Sequence, residues 1–341
     1  MTPDAVALAR LGRYDEALAA TEVALRDPTA EVLAAAAQVY SLVGDYSRAL
    51  SCYERALALV DSEQGKELWS QIGRIRLARG DLVQALHAYE QASSLEHVGR
   101  LRHLLGDYDG SRHAFDQALA QSADPSESAR LLGAIGRLRT DQGEFDGGRE
   151  CLERSVSLHR GREDRPGLAT SLGYLGNLLL ERGNLEGAER FLRESLEILR
   201  EVGGPWAQAF ALVRLGRVLG EGGRFGEAEE AFREGILVSR TLETPIFLAD
   251  ALRHRARLRL RTKDPRGRFD AEEALELSRT LGNPFEVVQA MTTLARYEKS
   301  ERAAELIAQA RVLLRSDANP RAVRTLQEDE AAVRRSADVH E

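Results

Sequence analysis

Histidines, cysteines and glycine-rich turns are the places where this sequence could carry chemistry. His97, His103 and His113 stand six and ten residues apart. Zinc ligands on a helix need spacings of three or four, completed by a carboxylate or thiolate, so no metal and no cofactor is expected. Cys52 and Cys151 each fall eight residues after a recurring turn glycine, three repeats apart, too distant to bridge. They read as small helix residues turned toward a core. No Ser, His and Asp set sits in a strand-turn-helix context, and no G-x-x-x-x-G-K-[ST] or G-x-G-x-x-G follows a strand. The glycine-rich turns lack the lysine of a phosphate loop, so turn geometry accounts for them. No catalytic residue is assigned and no enzyme is expected.

The elements that would position any functional group are helices. Hydrophobic residues make up 43% of the 341, charged residues 30% and aromatics 6%. Ala, Leu, Glu and Arg dominate, a composition that suits helix pairs and leaves almost no strand. Forty-seven basic against fifty-four acidic side chains give a net charge of −7, which repels phosphate backbones and argues against nucleic acid. Asp4 and Arg10 interrupt what would have to be a signal segment, and no later window approaches the roughly 18 apolar residues of a membrane span. A cytoplasmic protein without a membrane partner is expected, and the sparse cysteines fit a reducing compartment. Only Lys66, Lys263 and Lys299 are lysines, an Arg and Ala bias that suggests a GC-rich bacterial genome.

A motif then recurs along the chain. A glycine, a polar residue, an aromatic or Leu, and an Ala at phase +5 appear as GRYDEA from Gly12, GDYSRA from Gly44, GDLVQA from Gly80, GNLEGA from Gly183 and GRFGEA from Gly223. Weaker copies begin at Gly106 and Gly143, and degenerate ones at Thr262 and Glu298, which makes nine units. Seven residues before the turn glycine stands a second glycine, at Gly73, Gly99, Gly136, Gly176 and Gly216. Glycine inside a helix costs about 1 kcal/mol against Ala, so its recurrence predicts a close helix crossing. An aromatic or Leu at phase +9, as at Tyr53, Tyr89 and Phe232, supplies the large residue facing the small one.

This pattern resembles the tetratricopeptide repeat family. Trp69, Ile72, Gly73, Ala85, Tyr89 and Ala92 fall on its consensus places, and the forty-residue units look like its longer-helix variety. The resemblance implies an all-α fold, a right-handed α-solenoid of about nine antiparallel helix pairs. The array is expected over residues 1–315, with a capping helix and polar tail over 316–341. Asp27-Pro28, Asp124-Pro125 and Asn283-Pro284 read as N-cap and first helical residue, and Arg165-Pro166 places Pro equivalently. Asn319-Pro320 opens the capping helix. The 26-residue step between Gly80 and Gly106 predicts a short first helix in the fourth unit.

In this family the first helix of each unit lines a concave groove, and the residue after the internal glycine points into it. That row reads Gln38, Arg74, Arg100, Arg137, Asn177, Arg217, Ala256 and Thr292, and the phase three residues earlier adds Arg214 and Arg253. A basic groove in an acidic protein follows, and bidentate arginine forks suit an acidic peptide segment or a C-terminal carboxylate. Asn177 matches an asparagine that clamps peptide backbone or carboxylate in some members. Gly173 and Ala134 stand where the accompanying lysines of a chaperone-tail clamp would be. The alternative that these arginines pair with Glu and Asp of adjacent helices stays open. The expected function is a protein interaction adaptor, with a peptide-responsive signalling or transcription-associated regulator as the other reading. Met1 falls inside the first helix of unit one, so that uncapped edge is expected to fray or to be covered by a partner, a second copy included.

Overall fold

The computed structural model describes residues 4–242, 245–314 and 320–338. The chain is 83% helical, and the described residues form nineteen helices and no strand. They fall into two compact units, residues 1–101 and 102–341.

The first unit holds α1 (Ala5–Arg10), α2 (Tyr14–Ala24), α3 (Ala30–Val43), α4 (Tyr46–Leu57), α5 (Ser62–Ala78) and α6 (Leu82–Gln91). Helix α7 (Leu95–Leu104) contains the division between the units. At ten residues it is short, as the 26-residue step requires. Tyr53, Ile72, Ile75 and Tyr40 centre the core of the first unit. Here Thr29, not Asp27, caps α3, because its hydroxyl accepts the Val32 N–H, so Pro28 lies before the helix.

The second unit continues with α8 (Tyr108–Gln121), α9 (Pro125–Gln142), α10 (Phe145–Gly161), α11 (Arg165–Glu181), α12 (Leu185–Val202), α13 (Pro205–Glu221) and α14 (Phe225–Thr241). It ends with α15 (Pro245–Arg261), α16 (Gly267–Leu281), α17 (Pro284–Ala295), α18 (Ser300–Leu313) and α19 (Pro320–Asp338). Asp124 and Asn283 cap α9 and α17 through their side chains, and Asp164 caps α11 ahead of Arg165-Pro166. Asn319 lies outside the described residues. In this unit the first helices α9, α11, α13, α15 and α17 pack on one another in series. Each also packs on its own partner, so the first helices form an inner layer.

Four of the internal glycines, Gly73, Gly136, Gly176 and Gly216, do what their recurrence predicts. A Cβ on Gly216 would meet the Phe232 ring at 2.7 Å, on Gly176 Leu192 at 2.7 Å, on Gly136 Leu152 at 2.6 Å and on Gly73 Tyr89 at 2.9 Å. In each case the large residue stands at phase +9 after the turn. The turn glycines adopt the left-handed conformation, with φ from 76° at Gly12 to 87° at Gly44. The next residue then donates to a carbonyl five positions back, as Glu144 to Arg139, Asn184 to Leu179 and Arg224 to Leu219.

That bond corrects the phase of the eighth unit. Asp264 N–H donates to the Arg259 carbonyl, and the left-handed residue is Lys263 at φ 57°, so Lys263 and not Thr262 occupies the glycine place. Ala256 therefore holds the internal-glycine position, fully buried, and the row residue is Arg257.

Candidate functional site

With the phase corrected, the inner layer of the second unit carries Arg137, Asn177, Arg217 and Arg257 at forty-residue steps on α9, α11, α13 and α15. One helical turn later the same steps give Asp141, Glu181, Glu221 and Arg261. A cationic row thus lies beside an acidic one, and residues four apart on a helix share a face.

The guanidinium groups are engaged. Arg217 Nη1 donates to Glu181 Oε1 of the preceding pair at 2.8 Å and Nη2 lies 3.8 Å from Glu221 Oε1. Arg214 Nη1 stands 3.0 Å from Asp250 Oδ2, and Arg253 Nη2 donates to Asp250 Oδ1 at 2.6 Å with Glu286 at 3.6 Å. Arg137 Nε is 3.9 Å from Asp141 Oδ2, and its guanidinium lies over the rings of Tyr174 at 5.5 Å and Phe210 at 5.2 Å. Arg214 takes the same Phe210 ring at 4.9 Å. The inner layer is therefore a mesh of opposite charges and not a bare basic strip. Arg74 and Arg100 belong to the first unit, where Arg74 donates to Gln71 Oε1 and Arg100 pairs with Glu96 at 2.7 Å.

Burial sets the protonation of this mesh. It raises the Asp250 carboxyl, but Arg214, His254 and Arg253 outweigh it and hold Asp250 well below the usual carboxylate range. Burial and then Arg253 push His254 well below its usual value, against the pull of Asp250 3.2 Å away, so the imidazole is neutral near pH 7. His103 is buried, which lowers it likewise, and its Nε2 meets Asp141 Oδ2 at 2.9 Å. His97 instead stacks on Tyr89 at 4.3 Å and bonds Ser94. Among the described residues, no group of three His, Cys, Asp or Glu side chains is placed to hold a metal ion.

Two features of the layer bear on ligand binding. A cavity of about 420 Å³ is lined by Arg217, Arg253, His254, Arg257, Gln289 and Arg296 among others. Asn177, only 4% exposed, has a buried carboxamide oxygen with no hydrogen-bond partner. Sequence reading found Asn177 but missed Asp250, His254 and Arg296. It lost Arg257 to the one-residue phase slip. The acidic row Asp141, Glu181, Glu221 was the signal that these guanidiniums carry counter-charges. Among the described residues, no helix is long and apolar enough to cross a membrane.

Comparison with known proteins fits this architecture. The family model described as tetratricopeptide repeat matches residues 127–201 and 175–241, and a second such model matches residues 32–67. No curated protein sequence matches the chain. A Rap protein complexed with competence and sporulation factor shares the fold at TM-score 0.61 and 14% identity, covering 94% of this chain and 96% of that one. A tetratricopeptide repeat protein from Parabacteroides merdae aligns at TM-score 0.51 and 16% identity over 77% of this chain and 98% of the other. A signal transduction ATPase with a tetratricopeptide repeat sensor, from Pyrococcus horikoshii, aligns at TM-score 0.52 and 13% identity over 87% of this chain. The present chain covers 48% of that larger one. Matched repeats in both units, and helix pairs that interlock a glycine with a large residue at fixed phase, make this chain a member of the tetratricopeptide repeat family.

Proposed function

We propose that this chain is a cytoplasmic adaptor whose second unit holds an acidic segment of a partner protein along its inner layer. The tetratricopeptide fold is a protein interaction scaffold, and this reading gives the scaffold no reaction to catalyse. The observation that carries it is the Asn177 carboxamide oxygen, buried and without a hydrogen bond between the Arg137 and Arg217 steps of the row. A buried unsatisfied acceptor costs about 1–3 kcal/mol. A backbone N–H of an extended peptide would satisfy it, as the asparagine of related repeats does. Arg217 lines the open cavity and holds Glu221 only at 3.8 Å, so a ligand carboxylate can take that place on its fork.

The test is an array of acidic peptides bound to the purified chain, repeated with Asn177→Ala and with Arg137→Glu combined with Arg217→Glu. Weaker binding to Asn177→Ala, and a lost salt dependence in the double variant, are expected. Unchanged affinity in both would remove the inner layer from the reading.

A second reading is a ligand-responsive regulator, favoured by contacts that close the second unit on itself. Asn283 Nδ2 on the α17 cap donates to the Leu104 carbonyl at 2.6 Å, and α19 reaches α9. A ligand entering the inner layer would act on both contacts. The Rap protein complexed with competence and sporulation factor has a similar fold. Hydrogen exchange at Leu104 and Asn283, with and without a bound peptide from the array, separates the two readings.

A further inference from the structure

The C-terminal helix α19 does more than close the last pair. Its Asp329 is 1% exposed and is gripped from two directions. Arg257 donates from Nη1 to Oδ2 at 3.0 Å and from Nη2 to Oδ1 at 3.3 Å, the Thr292 hydroxyl donates to Oδ2 at 2.8 Å, and Arg296 Nη1 lies 3.5 Å from Oδ1. Apolar contact adds to the hold on the helix. Leu326 is buried in the α15 to α18 core and Val333 packs partly against it. Asp329 and Leu326 are three residues apart and Val333 is four further on, so all three share one face.

An end helix that only covered a core would be better served by apolar residues, because a buried ion pair often contributes less than a well-packed hydrophobic replacement. Here the carboxylate answers a need of the groove. Arg253, Arg257 and Arg296 all line one cavity, which Glu328 of α19 borders as well. Arg257 is the row residue that follows Arg137, Asn177 and Arg217. The helix therefore places its acid at the end of the row that the proposed function assigns to a partner.

We infer that Arg257, Arg296 and Thr292 form a recognition site for a partner's acidic helix of the pattern Leu-x-x-Asp-x-x-x-Val, and that α19 is its resident occupant, displaced when the partner docks. This rests on the groove reading above and names the partner's chemistry. A helix laid in a groove through anchors three and four residues apart is a recurring recognition mode, and the resident helix sets a threshold that only a matched competitor passes.

The test uses the full chain and a fluorescein-labelled synthetic peptide of residues 320–338. Asp329→Asn removes the resident carboxylate, so α19 amides should exchange at least tenfold faster while α9 to α18 keep their protection. That variant should bind the peptide at least tenfold more tightly than the unaltered chain, with an affinity that falls as salt rises. Adding Arg257→Gln should abolish the binding. If Asp329→Asn does not fold, Leu326→Ser loosens α19 through its apolar contact and leaves the guanidiniums to receive the same peptide. Unchanged α19 exchange in the opened variant, or an opened α19 with no peptide binding, overturns the inference. Adding Asn177→Ala to the opened variant separates the two proposals. Unaltered binding of the 320–338 peptide there leaves the docking site standing, while the acidic-array result alone decides the role of Asn177.

Discussion

Arg214 and Asp250 face each other at 3.0 Å across α13 and α15, with side chains only 14% and 13% exposed. Asp250 also receives Arg253 at 2.6 Å, so one carboxylate is shared by two guanidiniums from successive pairs. The inner layer is held together by charge as well as by apolar contact, and the carboxylate is its shared point.

Removing that point should therefore cost more than removing one of its cations. Asp250→Ala leaves Arg214 buried without its counter-charge and Arg253 with only Glu286 at 3.6 Å, which costs about 3–5 kcal/mol for a broken buried pair. Arg214→Met combined with Asp250→Leu should cost less, since the Arg214 charge goes with its partner and Arg253 keeps Glu286 at 3.6 Å. Urea unfolding of the three chains measures this. A loss for Asp250→Ala no larger than for the double variant would show that the pair is not a structural tie.

Stability should fall as the pH drops below neutrality. His254, His103 and His159 are each lowered by burial, so below the unfolded value near 6.5 the unfolded chain takes up protons that the folded chain does not. Each contributes a slope of up to about 1.4 kcal/mol per pH unit between 6.5 and its folded value, and none above 6.5. Asp250 is lowered in the fold, so its contribution is present above the unfolded value of about 3.9 and is lost only as the pH falls below that. His254→Leu should flatten the pH 6.5 to 4 limb more than His159→Leu does, because His254 is the more deeply lowered. Urea midpoints taken every half pH unit give the slopes.

Two glycine substitutions should move stability in opposite directions. An added Cβ at Gly136 would meet Leu152 Cγ at 2.6 Å and the backbone carbonyl of Gly148 at 2.9 Å, and the backbone cannot step aside. Gly136→Ala should cost about 1–3 kcal/mol through overpacking. Gly226, exposed in the first turn of α14, has nothing within 4 Å of an added Cβ. Gly226→Ala should gain up to about 1 kcal/mol from reduced backbone freedom in the unfolded chain. Thermal midpoints of the two variants check the signs.

The fold was legible because its unit is written many times over. Gly73, Gly136, Gly176 and Gly216 each require a close neighbour, and agreement between copies fixes both the helix pair and its phase. The site was only partly legible. A row of arginines can be read from one phase, but whether they are free depends on side chains from other helices, such as Asp250 against Arg214 and Asp329 against Arg257. Those partners are separated by 36 and 72 residues and obey no repeat of their own. The phase itself failed where a lysine took the glycine place, because the motif gives no sign of a left-handed backbone under a side chain.

That lysine gives the last prediction. Lys263 at φ 57° stands where Gly223 at φ 79° and Gly183 at φ 76° stand in the preceding units. A left-handed backbone costs a residue with a Cβ roughly 1–2 kcal/mol, while glycine adopts it freely but loses more entropy on folding. Lys263→Gly should thus raise stability by about 0.5–1 kcal/mol, and Gly223→Lys should lower it by a similar amount. The Asp264 to Arg259 bond closes the turn at Lys263 and the Arg224 to Leu219 bond the one at Gly223, so the two changes isolate the backbone conformation. Thermal unfolding of the two variants decides the matter, and a Lys263→Gly chain less stable than the parent would mean that the lysine side chain makes a contact worth more than the strain it carries.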